Sequence, residues 1–130
     1  MSLSRDDILN IQDIQIEEVE VPEWGGWVWV KGMSGAERGE FESLITDVQG
    51  KNVKANMRVV RETLSAFSIC DEQGNLLFTK KDISALGKKS AAALERVVNV
   101  AMRLSGIGEQ DMKELAKELD ENPSDGSASD

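Results

Sequence analysis

The stretch Ile14-Gln15-Ile16-Glu17-Glu18-Val19-Glu20-Val21-Pro22-Glu23-Trp24-Gly25-Gly26-Trp27-Val28-Trp29-Val30-Lys31 decides the fold. Ile14, Ile16, Val19 and Val21 alternate with Gln and Glu. That period of two puts one face of a strand on a core and the other in water. Glu17-Glu18 shifts the phase, which predicts a bulge or bend. Pro22 to Gly26 is turn chemistry. Trp27 to Lys31 is rich in β-branched and aromatic residues and reads as a second strand. The two strands are expected to pair as a hairpin.

On the N-terminal side, Ser4 to Ile11 reads as a short helix capped by Ser4, with Asp6 and Asp7 in its first turn. On the other side, Ser34 opens a helix with Glu37 at capping-box spacing. Phe41, Leu44, Ile45 and Val48 form its buried stripe, and Gly50 and Asn52 end it. Gly39 within it costs about 1 kcal/mol relative to Ala. Residues 53–70 carry two signals. Val53, Met57, Val60, Leu64 and Phe67 have helical spacing, whereas Ser65 to Cys70, the turn Asp71–Asn75 and Leu76-Leu77-Phe78 read as a hairpin. A helix giving way to a strand near Leu64 accommodates both.

Thr79 and Asp82 cap a short helix that Phe78 can staple onto Ile83 and Gly87 ends. A longer helix follows, with Leu94, Val97, Val98, Ala101 and Met102 on one face and Gly106 at its end. Ile107 can staple onto Met112 across a cap at Gly108, and Met112, Leu115, Ala116 and Leu119 form a last stripe. From Asp120 the chain is acidic and rich in Ser and Gly, so residues 120–130 are expected to be a disordered tail. The fold class is therefore α+β: a small, mainly antiparallel sheet packed with several helices, as one domain over residues 1–119.

Composition narrows the chemistry. The chain has no His and no Tyr, and Cys70 is its only cysteine. No Ser-His-Asp or Cys-His site can be built from it, and no intramolecular disulfide. Cys70 follows Ile69 in an apolar stretch, where a buried inert thiol is the expected role. The carboxylates alone could serve a glycosidase or a hard cation. Most of them fall on helix faces and in the tail, where a solvated surface explains them. Neither a catalytic site nor a metal or organic cofactor is expected. The formal net charge of −9 disfavours nucleic acid and anionic membranes and steers toward basic partners. No apolar run approaches the ~20 residues of a membrane span. Met1 to Asp7 lack the order of a secretion signal, so cytoplasmic residence is the expectation.

All three tryptophans lie within positions 24–29. Trp27 and Trp29 share a strand face and either fill the core or anchor another chain; large apolar residues favour the core. Trp24, beside two glycines in a turn, is the one expected to be exposed. Two other motifs yield to structural readings. Leu104-Ser105-Gly106-Ile107-Gly108 has the form of a helix-hairpin-helix phosphate turn, but Glu109 and Asp111 occupy the helix terminus where a phosphate would sit. A cap and staple explain it. Gly32-Met33-Ser34-Gly35 resembles an RNA-clamping GxxG without a basic cluster, and reads as the helix cap.

The ordered set Val21-Pro22-Glu23-Trp24-Gly25-Gly26, Val28, Val30, Ser34-Gly35-Ala36-Glu37-Arg38, Phe41-Glu42, Asp71–Asn75, Phe78-Thr79, Asp82, Leu86-Gly87, Ser90–Leu94 and Arg103-Leu104-Ser105-Gly106 resembles the tail assembly chaperones of long-tailed phages and prophages over positions 10–120. Trp27 and Trp29 depart from the smaller or polar residues of that pattern, and Gly39 from a helix-friendly one. The resemblance implies a non-catalytic chaperone that binds the tape measure protein, and tail tube subunits, before tail polymerisation in the host cytoplasm. Trp24, Trp27, Trp29, Met112, Leu115 and Leu119 are the candidate partner-binding residues. Self-association is compatible with the pattern. Two rival roles fit the same composition: a tail or neck protein retained in the virion, and an acidic inhibitor mimicking nucleic acid.

Overall fold

The computed structural model describes residues 1–46 and 53–108. Helix α1 (Arg5–Leu9) precedes a hairpin of β1 (Ile16–Val21) and β2 (Gly26–Lys31), joined by a 3-10 turn at Pro22–Trp24. Helices α2 (Gly35–Thr46) and α3 (Val53–Ala66) follow, then the two-residue β3 (Ile69–Cys70). A 3-10 turn at Lys80–Asp82 leads into α4 (Ile83–Leu86), and α5 (Ala91–Leu104) comes last. The sheet is antiparallel, in the order β1-β2-β3. This is the expected α+β architecture.

The hairpin register runs from Ile16↔Lys31 to Val21↔Gly26 with no inserted residue. The expected bulge at Glu17-Glu18 is thus replaced by a regular strand. The inward phase is that of Val19 and Val21; Ile16 falls on the opposite face with Glu18 and Glu20, and Ile14 lies before the strand. Two isoleucines out of phase with the core created the apparent slip. Val19, Val21, Val30 and Ile69 are buried on the inner face, where Ala93, Val97 and Ala101 of α5 join them in one cluster. Each buried valine contributes roughly 1.5–3 kcal/mol over an exposed one. The approach is close. A Cβ on Gly32 would stand 2.5 Å from the Leu104 carbonyl oxygen, so the end of β2 touches the backbone of α5. The Met33 amide donates to Ser105 Oγ at 2.9 Å in the same place.

The helix boundaries follow their caps. Ser4 and Asp7 form a reciprocal box on α1. Ser34 Oγ accepts from the Glu37 amide at 3.1 Å, and Glu37 Oε1 from the Ser34 amide at 2.9 Å. Thr79 and Asp82 make a third box, and Ser90 caps α5. Beyond α5, Gly106 takes φ 76°, which a glycine adopts without strain. The Ile107 amide reaches Met102 O at 2.8 Å and the Gly106 amide Arg103 O at 3.2 Å, a Schellman closure. The capping reading of Leu104–Gly108 therefore holds at its helix-ending side.

The ambiguous stretch resolves as helix through Ala66, two residues beyond Leu64. Thr63 to Cys70 are all buried, so no exposed position interrupts the helix where alternation seemed to begin. The hairpin after it is minimal. Cys70 bridges Leu76, the Leu77 amide donates to Ile69 O at 3.1 Å, and Asp71 Oδ1 accepts from the Gln73 and Asn75 amides at 2.9 Å each. The expectations for Val48, Gly50 and Asn52, for the last helix, and for the tail at 120–130 lie outside the described residues.

Candidate functional site

The outer face of the sheet has the character of an interaction surface. Glu20 stands opposite Trp27 and Glu18 opposite Trp29, which places both tryptophans on the face turned away from α5. Their rings meet edge to face, with centroids 5.2 Å apart and planes at 83°. Trp29 is half-buried and Trp27 is 52% exposed. The expectation that this pair fills the core is overturned. Val28 and Val30 take the inner positions because they are in phase with Val19 and Val21.

The end of this face away from the Pro22–Trp24 turn is built. There Cys70 pairs with Trp29, and the turn at Gly74 leans toward the Ile16 side chain. The Cys70 thiol is buried, and burial pushes its pKa above the ordinary value, which suits the inert role expected of it. At the same end, Lys31, the partner of Ile16, is buried and its Nζ lies 2.5 Å from Glu37 Oε1. Burial pushes the Glu37 carboxyl upward, but hydrogen bonds from Lys31 and the Ser34 amide outweigh it and hold the group below its usual range. The lysine thus ties the strand end to the N-terminus of α2.

Trp24 belongs elsewhere. It is half-buried against the core, whereas Trp27 is the most exposed of the three, which reverses the expected order. Trp24 lines a separate cavity of about 310 Å³ with Phe78, Asp82, Ala85, Leu86 and Lys89. Its turn is fixed by Glu23, which accepts from Arg96 Nε at 2.9 Å and Nη2 at 3.2 Å. The Arg96 hydrogen bonds draw the Glu23 carboxyl below its usual range. One six-residue cluster in sequence is therefore two surfaces in space.

Met112, Leu115 and Leu119 lie outside the described residues. Sequence reasoning missed Ile16, whose exposure on the tryptophan face follows from the register. It also missed Lys89, exposed and lining the Trp24 cavity; the Lys88-Lys89 pair in an acidic chain was its signal. Among the described residues, no group of three or more His, Cys, Asp or Glu is placed to hold a metal ion, and no helix is long and apolar enough to cross a membrane.

Comparisons with known proteins bear on this geometry. The family model described as phage tail assembly chaperone matches residues 8–118. The solved structure of the bacteriophage HK97 tail assembly chaperone is similar in fold, with a TM-score of 0.57 and 18% identity, over 70% of this chain and 85% of that one. No curated protein matches.

Proposed function

Because the chain belongs to the phage tail assembly chaperone family, we propose that it acts in the host cytoplasm, without catalysis, by holding the tape measure protein and gathering tail tube subunits before the tail polymerises. The outer face of the hairpin is the docking surface, with Trp27 and Trp29 as its anchors. The observation that carries this reading is the exposure of Trp27 on a strand whose opposite face is sealed. Tryptophan is enriched at interaction hot spots, and an exposed pair with a polar border is the arrangement such spots take. Glu18 and Glu20 supply that border. An acidic rim favours segments carrying Lys or Arg beside their apolar stripe and speeds encounter with them. Met112, Leu115 and Leu119, outside the described residues, are the other candidate contacts.

The test is Trp27→Ala, scored for melting and for capture of the tape measure protein of the same phage. Binding should weaken by on the order of 2 kcal/mol, roughly thirtyfold, with the fold retained. Trp29→Ala should act in the same direction. Parent-level capture by both variants would remove the sheet face from consideration, and Leu115→Ala would then test the remaining stripe.

A further inference from the structure

The residues ahead of the sheet form an arm that its own domain leaves bare. Every residue from Met1 to Ile16 is exposed. Of the nine large apolar side chains exposed among the described residues, six precede β1: Met1, Leu3, Ile8, Leu9, Ile11 and Ile14. Helix α1 has a reciprocal cap box yet buries no residue. At five residues it is far below the roughly 12–15 that an isolated helix needs in water. A capped helix this short, with Ile8 and Leu9 uncovered, is stabilised by docking.

A groove of matching character runs past Phe78. Two cavities, of about 440 and 310 Å³, share that ring. Phe67, Leu76 and Ile83 line the first, and Trp24 and Leu86 the second. No residue of the arm lines either. The rim is basic. Residues 80–89 hold four lysines and one acid, in a chain of net charge −9. Lys80 pairs with Glu40, and Asp82 is taken up by the Thr79 cap. Lys81 lines the first cavity and Lys89 the second, each without a carboxylate partner among the described residues.

Charge decides which surface takes the arm. Asp6, Asp7 and Asp13 against Arg5, three acids less one base, give it a side-chain charge of −2. The outer sheet face, bordered by Glu18 and Glu20, repels such a segment, and the lysine-rimmed groove attracts it. We propose that the arm of one copy docks in the Phe78 groove of a second copy. Ile8, Leu9 and Ile11 cover the cavities on either side of Phe78, and the arm's aspartates face Lys81 and Lys89. Each copy then both gives an arm and takes one, as in a domain swap. The tryptophan face takes no part in the contact, so the inference does not rest on the tape-measure reading.

Sedimentation of the full chain over a range of concentrations tests it with variants of one surface at a time. Leu9→Asp spoils the arm alone, and Lys81→Glu with Lys89→Glu spoils the groove alone. All three positions are exposed, so the fold is retained. The parent should associate, and each variant should raise the Kd of association about thirtyfold, the effect of losing a hot-spot contact. Adding Asp6→Lys and Asp13→Lys to the groove variant should restore association. A parent that stays monomeric would overturn the proposal, as would a groove variant that associates like the parent or is not rescued. Carbodiimide cross-linking of an equal mixture of 15N-labelled and unlabelled parent is the second, independent measurement. Links from Asp6 or Asp13 to Lys81 or Lys89 should join labelled to unlabelled chains. Links confined to single chains would give the groove to the chain's own arm and refute the exchange.

Discussion

The two faces of the hairpin share every backbone bond and differ in everything else. The inner face carries Val19, Val21, Val28 and Val30, pressed on the small side chains of α5. The outer face carries Ile16, Glu18, Glu20, Trp27 and Trp29. The largest side chains lie outside and the medium ones inside. Residue size did not assign the faces. Phase did, through a register that binds the valines of both strands to one side.

That contrast can be attacked from the inside first. Val30→Asp would place an unpaired carboxylate where exposure is 0%. Such a charge costs several kcal/mol against a typical domain stability of ~5–15 kcal/mol. Circular dichroism should show no cooperative melt. A folded Val30→Asp variant would mean that the inner face is less sealed than described.

Gly32→Ala probes the close approach itself. The added methyl meets the Leu104 carbonyl, a backbone atom that cannot swing away. Overpacking of this kind costs ~1–3 kcal/mol, read as a lower denaturant midpoint with an unchanged slope. Parent-like stability would show that α5 can stand off from the sheet.

On the outer face, Trp27→Ala should cost only ~1 kcal/mol, the order of an edge-to-face aromatic pair. The same variant is the one expected to weaken partner capture. A loss of ~3–5 kcal/mol, as for a core tryptophan, would erase the distinction between the faces.

The smallest effect concerns acid. Lys31 shares the outer phase with the tryptophans yet is buried against Glu37. Burial works against the Glu37 charge, but the Lys31 and Ser34 hydrogen bonds prevail and lower its pKa from 4.5. A depressed carboxylate contributes stability that is present above pH ~4.5 and fades as pH falls through the folded-state value. Stability of the parent chain should therefore drop more on acidification below that point than stability of Glu37→Gln. Parallel pH profiles would show that the pair contributes nothing.

Local chemistry made much of this legible. The cap boxes at Ser34 and Thr79 stand where the spacing of Ser or Thr to Asp or Glu put them, and Ser4 caps α1 as expected. The Asp71–Asn75 turn and the buried stripe of α5 did likewise. Errors arose where the deciding partner is distant in sequence. The phase of β1 depends on its pairing with β2. The burial of Trp24 depends on Phe78 and Leu86, and the place of Trp27 and Trp29 outside the core depends on their register opposite Glu20 and Glu18. Alternation within one strand carries none of that information.

The ties between α5 and the hairpin also set a schedule for synthesis. Glu17 is held by Arg103 at 2.7 Å and Glu23 by Arg96 at 2.9 Å, so the first sheet residues find their partners 86 and 73 positions later. A ribosome makes ~5–20 residues per second. The hairpin therefore waits about 4 s at the faster rate, and roughly 15 s at the slower, before the helix that seals it is made. Until then the nascent chain presents both faces of its valine and tryptophan strands, and this assembly factor passes its own earliest moments as an aggregation-prone client.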